Sequence, residues 1–592
     1  MRIYILIILL SILLLFLIIY LYNHRNKNKS NKDFSQITAA PINTRNPQYT
    51  TPSSIKNIYY AKSWDTISPS GNLSFPEFYS SNLYGNKVPN INKVSICVSG
   101  GGTRSFCISM GYFRALNKMG YKNKAQYISS VSGGSWFSSV YSFYQTYGDI
   151  DTAMGKSCGL DKNNIPDPSL MTLNELNNKN KDLQNYLGNI FSTSINELLQ
   201  EYLTPFSGVA FDNLWNKIIF NYILKPLGLN KNVPIALNKR HADDIYKRNP
   251  DLGYPLYLND NMPFWICNST LLFDDIEEYP YLCVPLTPLY SGIVQEISKN
   301  DKTIGGTVIE NFAFGNTSIP KKLSTDISSP IINSYILSSD IRNLSDSIGT
   351  SSWATASFFY EPDLIPYIGN LLPESLDAFL SNYNIVIKSE KDLYLQKYYL
   401  GDGAFSNNSG ILSLLSRGVK HIISFVNANI LNPEGCETTI KPLFGVLNDL
   451  YCKYSILALD DVKVFSSEDY INNIYPQFQK TFKDGGPSFA RASLNVLENK
   501  NYGISSYIVD VLFIILEESS KFNSQLPPEI KSQIGTNENL LFANFPNFNF
   551  GMQNSPYLLY YTLGQVNLLS SYTDWCLSQP ELKVHIDEMF SY

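Results

Sequence analysis

Two strand-to-helix units follow one another early in the chain, and together they restrict the folds that are open to it. Val94–Val98 has the pattern of a buried strand and ends at three glycines, after which a helical pattern runs from about residue 105 to 119. A second short strand-like run, about 126–131, leads into Ser132 and another helical pattern that reaches about residue 147. Strands that alternate with helices over so short a distance predict a parallel sheet covered by helices, an α/β fold.

The composition suits a large globular domain and argues against a nucleic-acid-binding protein. The 592 residues include 44% hydrophobic and 14% aromatic residues, enough apolar material for a large core. The formal net charge is −5, so no basic field covers the chain and we expect no nucleic-acid partner. The 8 cysteines are scattered without a CxxC pair, which argues against a dedicated zinc site.

The N-terminus carries an apolar segment as long as a membrane-spanning helix. Residues 3–22 contain no charge and consist mainly of Ile and Leu, and about 20 residues suffice to cross a bilayer as a helix. A cleaved signal would have a shorter apolar region with a cleavage site just after it, so we predict a permanent single-pass anchor. Four cations follow the segment, and the positive-inside rule then places the bulk of the protein in the cytosol.

The remainder of the chain divides by composition. Residues 1–33 are predicted to form the anchor and a polar tether, 34–90 an ordered lead-in, and 91–592 one large domain. Within that domain the stretch of about 150–260 is rich in Asn, Asp and Lys and is predicted to be a helical cap insertion. Strand-like runs return at 263–268, 281–286, 398–401 and 421–426, and 507–516 is predicted to be core rather than a second membrane span.

Ser132 lies in the stretch Ser-Val-Ser-Gly-Gly-Ser-Trp, at the point where a strand meets a helix. A serine at such a tight turn holds its hydroxyl out of the sheet, and its neighbours must be small because the turn is crowded. The positive end of the following helix would also stabilise negative charge that develops beside the hydroxyl. Ser132 is therefore a candidate nucleophile, although Ser-Gly-Gly taken alone is equally well an ordinary turn.

The three glycines at 100–102 follow the first strand and open the first helix. Glycines let backbone N–H groups converge on an anion, and two such donors would form an oxyanion hole. Arg104 would add a charge-assisted contact with a phosphate or a carboxylate. A dinucleotide-binding loop is the main alternative, but the third glycine position of that motif is Ser105, and no acidic residue closes the second strand.

Asp402 places a carboxylate between two glycines at the end of a later strand. A serine nucleophile must lose its proton to a nearby base, which is usually a histidine. The chain has 4 histidines and none of them adjoins a catalytic-looking turn, so Asp402 could itself be the base of a two-residue Ser–Asp site. As an isolated motif, Asp-Gly is far more often only a turn.

In their chain order, the motifs SGGGTR, SVSGGSW and DGA resemble the patatin and cytosolic phospholipase A superfamily, and more closely its cytosolic phospholipase branch. The resemblance is dense over residues 94–147 and looser as far as about 430, where it includes Ser351–Ala356. It implies a patatin-like α/β fold, related to the α/β-hydrolases, in which helices flank a mostly parallel central sheet and a helical cap is inserted. In this chain the predicted transmembrane helix would precede that fold.

The same resemblance implies a role for each candidate residue. Ser132 would be the nucleophile and Asp402 the base, while backbone N–H groups of Gly101 and Gly102 would form the oxyanion hole and Arg104 would steady the lipid phosphate. Enzymes of this kind cleave fatty-acyl esters of phospholipids or lysophospholipids through an acyl-serine, without a catalytic histidine. We therefore expect a membrane-anchored serine lipid acyl hydrolase that needs no metal or cofactor and whose partners are phospholipid and the bilayer.

Two departures from the family pattern bear on this interpretation. Ser130 stands where glycine is commoner, and we expect no calcium-dependent membrane-binding domain before the first core strand. The predicted anchor would replace that module by holding the enzyme at the bilayer. A catalytically inactive membrane scaffold or lipid-binding protein, and a lipid acyltransferase, stay open as alternatives to the hydrolase.

Overall fold

The described residues form one large sheet of 11 strands, and this sheet contains the strands that the sequence predicts. The computed structural model describes residues 58–592 except 69, 146–147, 184, 193–213, 260, 273–280, 300–301, 316–329, 337–340, 354–380, 390–392, 428–430, 432–438, 447–461, 538 and 549–560. The strands are β1 (Ile58–Asp65), β2 (Val94–Val98), β3 (Tyr127–Val131), β4 (Ile235–Ala236), β5 (Leu256–Tyr257), β6 (Phe264–Leu272), β7 (Leu282–Leu286), β8 (Glu296–Lys299), β9 (Lys302–Gly305), β10 (Thr307–Ile309), β11 (Ile331–Ile336), β12 (Ser381–Ser389), β13 (Leu393–Asp402), β14 (His421–Val426), β15 (Ser488–Val496), β16 (Tyr507–Ile515), β17 (Ile534–Gly535) and β18 (Phe542–Ala543). The α-helices are α1 (Ser81–Tyr84), α2 (Gly102–Lys118), α3 (Gly133–Phe143), α4 (Ile150–Met154), α5 (Leu173–Asn178), α6 (Asn189–Ser192), α7 (Leu214–Ile219), α8 (Lys239–Arg248), α9 (Leu344–Ser351), α10 (Ala404–Asn407), α11 (Leu412–Leu415), α12 (Ser467–Asp469), α13 (Tyr475–Lys483), α14 (Ser520–Gln525), α15 (Pro528–Lys531), α16 (Leu563–Ser578) and α17 (Pro580–Ser591).

The centre of the large sheet is parallel and its two sides are antiparallel. The strand order is β15-β16-β14-β2-β3-β6-β13-β12-β9-β8, and β7 pairs with β6 as a branch. The five strands from β16 to β6 run parallel, whereas the pairs on either side of them are antiparallel. The expectation of a mostly parallel sheet therefore describes only the centre. Outer strands such as β8 and β9 follow each other along the chain within two residues, a separation too short for the crossover that parallel pairing needs.

The prediction of a transmembrane helix ahead of this fold has to be corrected. Residues 3–22 lie outside the described residues, and within the described ranges no helix is both long enough and apolar enough to cross a membrane. The longest α-helix in those ranges, α2, has 17 residues and spans about 26 Å, less than the roughly 30 Å of a hydrocarbon core. For the described ranges the fold class is therefore restated as an α/β sheet with flanking helices, none of which could span a membrane, and a single-pass membrane location is not supported.

The domain boundaries inferred from composition stay predictions. The predicted anchor and tether and the first part of the lead-in, together residues 1–57, lie outside the described residues. The predicted cap of about 150–260 contains the short helices α4 to α8 in its described part.

The two predicted strand-to-helix units form the middle of the sheet. All residues of β2 and β3 are buried, as expected for parallel strands that are covered on both faces. Helices α2 and α3 begin within a few residues of the ends of these strands, so the loop at 99–101 and Ser132 lie at the same edge. Ligand sites in open α/β sheets form at this edge, beyond the carboxyl ends of the strands.

Helix α16 packs the C-terminal part of the chain onto α2. A Cβ atom on Gly111 of α2 would lie 2.0 Å from the backbone oxygen of Ser570 and 2.0 Å from Oγ1 of Thr573, so the close approach of the helices requires glycine there. Arg114, about one turn further along α2, donates to Oγ of Ser570 at 3.0 Å. The interpretation of residues 565–575 as a packed helix is thereby confirmed.

Strand β1 is joined to the rest of the fold through a buried ion-pair network. Arg248 donates two hydrogen bonds to the fully buried carboxylate of Glu310, and the backbone N–H of Lys62 on β1 donates a third. Nδ1 of His241 accepts from the backbone N–H of Leu237, so Nε2 carries the proton that reaches Glu310 at 3.0 Å. His241 therefore has a structural position away from the turn that holds Ser132.

Candidate active site

Ser132 occupies a strained turn between β3 and α3. Its φ of 51° and ψ of −125° lie outside the backbone regions that serine ordinarily adopts. A Cβ atom on Gly133 would lie 2.1 Å from the carbonyl oxygen of Gly102, and one on Gly134 would lie 2.7 Å from that of Ser99. The turn thus requires glycine at both positions after the serine, which is the physical reason for the Ser-Gly-Gly motif.

The Ser132 hydroxyl donates a hydrogen bond of 2.9 Å to Oδ2 of Asp402, a residue 270 positions further along the chain. Asp402 ends β13, and its other carboxylate oxygen accepts from the backbone N–H of Ala404 at 2.9 Å. The two side chains meet because β3 and β13 both pair with β6 in the sheet. Ser132 is 8% and Asp402 2% exposed, so the pair is largely shielded from water.

Burial raises the pKa of Asp402 to about 7, while the hydrogen bonds from Ala404 and Ser132 oppose this rise. A base whose pKa lies near neutrality can both take a proton from a serine and return it later. The three histidines in the described ranges are engaged elsewhere: His241 bonds to Glu310, His421 stacks on Tyr592 and His585 lies against Phe489. Within those ranges, no three His, Cys, Asp or Glu side chains come together as metal ligands would.

The glycine loop after β2 presents main-chain groups to the turn that holds Ser132. Gly101 and Gly102 have φ values of 139° and 57°, at which any side chain would be strained. A Cβ atom on Gly133 would lie 2.5 Å from the Gly102 nitrogen, so the loop and the turn are in direct contact. No acceptor among the described residues receives the N–H of Gly101 or Gly102. Free N–H groups at a helix start are the donors that an oxyanion hole requires.

Arg104, in the first turn of α2, is held beside this loop by Asn427. Nε of Arg104 donates to Oδ1 of Asn427 at 2.7 Å, and Nδ2 of Asn427 donates to the carbonyl oxygen of Gly100 at 3.1 Å. A Cβ atom on Gly101 would lie 1.5 Å from that Nδ2 atom, so the amide lies directly against the loop. Burial lowers the pKa of the Arg104 guanidinium, and an anionic ligand would stabilise its charge.

Replacing Asn427 by alanine is expected to lower kcat/KM about 10- to 100-fold on a phosphate-bearing ester, because Arg104 and the glycine loop lose a shared support. A neutral ester such as p-nitrophenyl butyrate should be less affected, since it offers no phosphate to Arg104. Steady-state kinetics on both substrates measure the difference. Asn567→Ala is the control: its amide is equally buried but bonds Tyr186 and Leu176. Unchanged kinetics in a folded Asn427→Ala variant would contradict the role of Asn427 as a support for Arg104 and the glycine loop.

Ser130, which stands where glycine is commoner, is accommodated by other buried hydroxyl groups. Its Oγ lies 2.6 Å from Oγ of Ser138 and accepts from Ser135 at 3.2 Å. It also donates to the carbonyl oxygen of Ile266 at 3.3 Å. The serine at this position is therefore tolerated because its hydroxyl is satisfied within the fold.

Aromatic side chains extend from α3 to the loop that follows Asp402. Trp136, one turn into α3, stacks against Phe191 with ring centroids 6.3 Å apart and is tilted against Trp215 at 6.2 Å. Trp215 also belongs to a small apolar cluster beside Asp402, whose other members are Leu272, Tyr281, Trp353, Tyr399 and Phe405. Apolar walls with a few placed polar groups are typical of sites for small apolar ligands.

Comparison with known proteins finds phospholipases at low identity. The chain is 36% identical over 58 residues, 10% of its length, to the Saccharomyces cerevisiae protein SPO1, which is provisionally named a meiotic phospholipase. The chain resembles phospholipases. Human GIVD cytosolic phospholipase A2 is 13% identical over 88% of the chain, with a TM-score of 0.45. Its complex with methyl gamma-linolenyl fluorophosphonate is also 13% identical, over 87% of the chain, with a TM-score of 0.37.

These relatives are phospholipases by name, as the three motifs predict, and the chain covers each of them only in part. The chain spans 9% of the yeast relative and 64% and 62% of the two human chains. No family model matches the chain. Because the likeness is distant and covers the relatives only in part, function is inferred below from the geometry of the site itself.

Proposed function

We propose that this protein is a serine lipid acyl hydrolase of phospholipase A or lysophospholipase type, which cleaves fatty-acyl esters of glycerophospholipids. One observation carries the proposal: the Ser132 hydroxyl, in a strained turn, donates to the buried carboxylate of Asp402. The N–H groups of Gly101 and Gly102, which no acceptor in the described part of the chain receives, belong to the loop that contacts the same turn. A nucleophile, a base and an oxyanion site in mutual reach define an acyl-transfer centre.

In the proposed reaction, Asp402 takes the hydroxyl proton as Oγ of Ser132 attacks the carbonyl carbon of the ester. The charge that develops on the carbonyl oxygen is held by the N–H groups of Gly101 and Gly102, at the positive end of α2. Asp402 then returns the proton to the departing alcohol, which leaves an acyl ester on Ser132. In the second half, Asp402 takes a proton from water as the water oxygen attacks the acyl carbon. Asp402 then returns that proton to Oγ of Ser132 as the acyl–serine bond breaks, which releases the fatty acid and restores the serine.

The surroundings of the pair favour a phospholipid over a small polar ester. The half-buried rings of Trp215, Tyr399 and Phe405 offer an apolar surface to an acyl chain. Arg104 offers a cation to a phosphate, and its support by Asn427 fixes the direction of the guanidinium. An apolar surface and a cation match the two parts of a phospholipid.

Activity is expected to fall as the pH is lowered through about 7. Asp402 accepts the serine proton only as a carboxylate, so protonation of this buried group removes the base. The pH dependence of kcat/KM on lysophosphatidylcholine should show an acid limb near pH 7 rather than near about 4, where an ordinary aspartate titrates. A profile without a limb between those values would contradict the assignment of Asp402.

Vesicles that contain a diacyl phospholipid and a distinguishable lysophospholipid test the proposal on the full chain. Mass spectrometry of the lipids after incubation separates the outcomes. Release of free fatty acid supports the hydrolase. Formation of new diacyl lipid from the lysophospholipid would indicate an acyltransferase, and binding to the vesicles without any product would favour a lipid-binding scaffold.

A further inference from the structure

Ser351, the last residue of α9, contacts both halves of the candidate site. Its hydroxyl oxygen accepts a hydrogen bond of 3.1 Å from the backbone N–H of Ser132. Its carbonyl oxygen accepts another of 3.1 Å from the backbone N–H of Gly403, the residue that follows Asp402. Ser351 is fully buried, so solvent does not compete for either bond.

The hydroxyl group of Ser351 lies among several polar groups at this junction. It donates to the carbonyl oxygen of Asn268 at 2.5 Å, and Oγ of Ser135 lies 3.1 Å away. A hydroxyl has one donor and two acceptor positions. Since the donor is used on Asn268, one acceptor position receives the Ser132 N–H. The other faces the Ser135 hydroxyl, whose one proton lies within reach of both Ser351 and Ser130.

These bonds hold two features of the site, the strained backbone of Ser132 and the loop that carries Asp402. A strained backbone such as that of Ser132 persists only when the surrounding structure determines it. Strand β3 ends at Val131, and Ser351 supplies the acceptor for the N–H of the next residue. The loop that carries Asp402 is held by the same residue through Gly403. The separation of Ser132 and Asp402 thus depends on one side chain and one carbonyl group of Ser351.

We propose that Ser351 is a positioning residue that holds the turn of Ser132 and the loop of Asp402 at a fixed separation. The inference rests on the proposed acyl hydrolase function. Ser351 bonds to the main chain of Ser132, and not to its hydroxyl, so it acts through the reacting pair. Asn268 anchors it in turn from β6, the strand between the two halves of the site.

Ser351→Ala is expected to lower kcat about 10- to 100-fold and to leave KM within about threefold, because the pair is displaced while the lipid surface is unchanged. The Ser132 hydrogen bond lowers the pKa of Asp402, so weakening it should also move the acid limb of the pH profile to higher pH. Ser351→Cys keeps a side chain of similar size with a weaker hydrogen-bonding group. Its kcat and its acid limb should lie between those of the wild type and of Ser351→Ala. It carries the test if the alanine variant does not fold.

Ser347→Ala is the matched control, since Ser347 lies one turn earlier on α9 and is also buried. Its hydroxyl donates to the carbonyl oxygen of Asn343 and accepts from the amide of Asn311, both outside the reacting pair. Thermal unfolding should show a similar loss of Tm in both alanine variants. Only Ser351→Ala should lower kcat and shift the acid limb.

The outcomes separate this inference from the function on which it rests. Wild-type kcat and acid limb in a folded Ser351→Ala variant would overturn the positioning role, as would an equal loss in Ser347→Ala. If the wild type releases no fatty acid, the proposed function and the inference fail together. If the wild type is active and Ser132→Ala is not, the function stands and the Ser351 variants alone decide the inference.

Discussion

Ser132→Ala is expected to remove fatty-acid release, with a fall in kcat of at least about 10³- to 10⁴-fold. The substitution deletes the oxygen that would form the acyl ester, and water has no equivalent position next to Asp402. The fold should persist, because alanine needs no more room than serine and meets the same backbone strain. Acyl release from phospholipid vesicles, measured beside circular dichroism and Tm, tests this result.

Ser139→Ala provides a matched control for the loss of one hydroxyl from α3. Ser139 is buried, and its hydroxyl donates to the carbonyl oxygen of Trp136 at 2.9 Å, within the helix itself. We expect this variant to keep activity within about threefold, as for a neutral intrahelical hydrogen bond of modest net strength. Turnover by a folded Ser132→Ala variant at a rate near the wild type would exclude Ser132 as the nucleophile.

Asp402→Asn is expected to lower kcat about 10³-fold or more, because an amide cannot take the proton of Ser132. The amide is nearly the same size as the carboxylate, and its one oxygen can accept the hydrogen bond of either Ser132 or the Ala404 N–H. The loss should therefore fall on kcat rather than on KM. Single-turnover kinetics with lysophosphatidylcholine would place the defect in acylation of the enzyme.

The same substitution is expected to stabilise the fold at pH 8. The folded state holds the pKa of Asp402 at about 7, whereas an aspartate in an unfolded chain titrates near about 3.9. Between these values the folded protein binds a proton that the unfolded chain does not, so the contribution of this group to stability is full below about pH 4 and is lost as the pH rises through 7. Above pH 7 the buried carboxylate opposes folding by on the order of 2–4 kcal/mol, which a neutral amide removes.

Urea denaturation at pH 8 and pH 5 measures this gain, which should be larger at pH 8. Asp510→Asn is the control, since Asp510 pairs with Arg491 at 2.7 Å and lies outside the candidate site. Removing its charge should lower stability or leave it unchanged, and should preserve activity. A loss of stability at pH 8 in Asp402→Asn would contradict the buried, proton-binding carboxylate.

The two tight turns that hold Ser132 and Asp402 could be predicted from the sequence because crowding at each turn leaves a pattern of glycines. Gly133 has no room for a Cβ atom, and a Cβ atom on Gly403 would lie 2.3 Å from the carbonyl oxygen of Asn268. Glycine is required wherever two stretches of backbone approach each other too closely for a Cβ atom. The motifs around Ser132 and Asp402 therefore carry structural information as well as chemistry.

The supporting residues could not be found in this way. Ser351 meets its partner Ser132 from 219 positions away, and Asn427 meets Arg104 from 323. Each is a single polar residue in a chain rich in Asn and Ser, so composition gives it no distinction. Their roles follow from main-chain contacts between distant strands and helices, which appear only when the sheet is assembled.

In the sheet, the central strands could be predicted from the sequence and the outer strands could not. The runs predicted at 94–98 and 421–426 coincide with β2 and β14, because a strand buried on both faces is continuously apolar. The run at 507–516, predicted to be core, forms β16 beside β14. Strands β8 and β9 are short and partly exposed, and their sequences give no comparable signal.

Covalent labelling is the sharpest test of the proposal that Ser132 is the activated nucleophile of an acyl hydrolase. The full chain is treated with a long-chain alkyl fluorophosphonate while fatty-acid release from phospholipid vesicles is followed, and the adduct is mapped by peptide mass spectrometry. We expect one adduct per chain, on Ser132, formed in proportion to the loss of activity and slower as the pH falls below about 7. An active protein that acquires its adduct on another residue, or loses activity without modification of Ser132, would contradict the proposal.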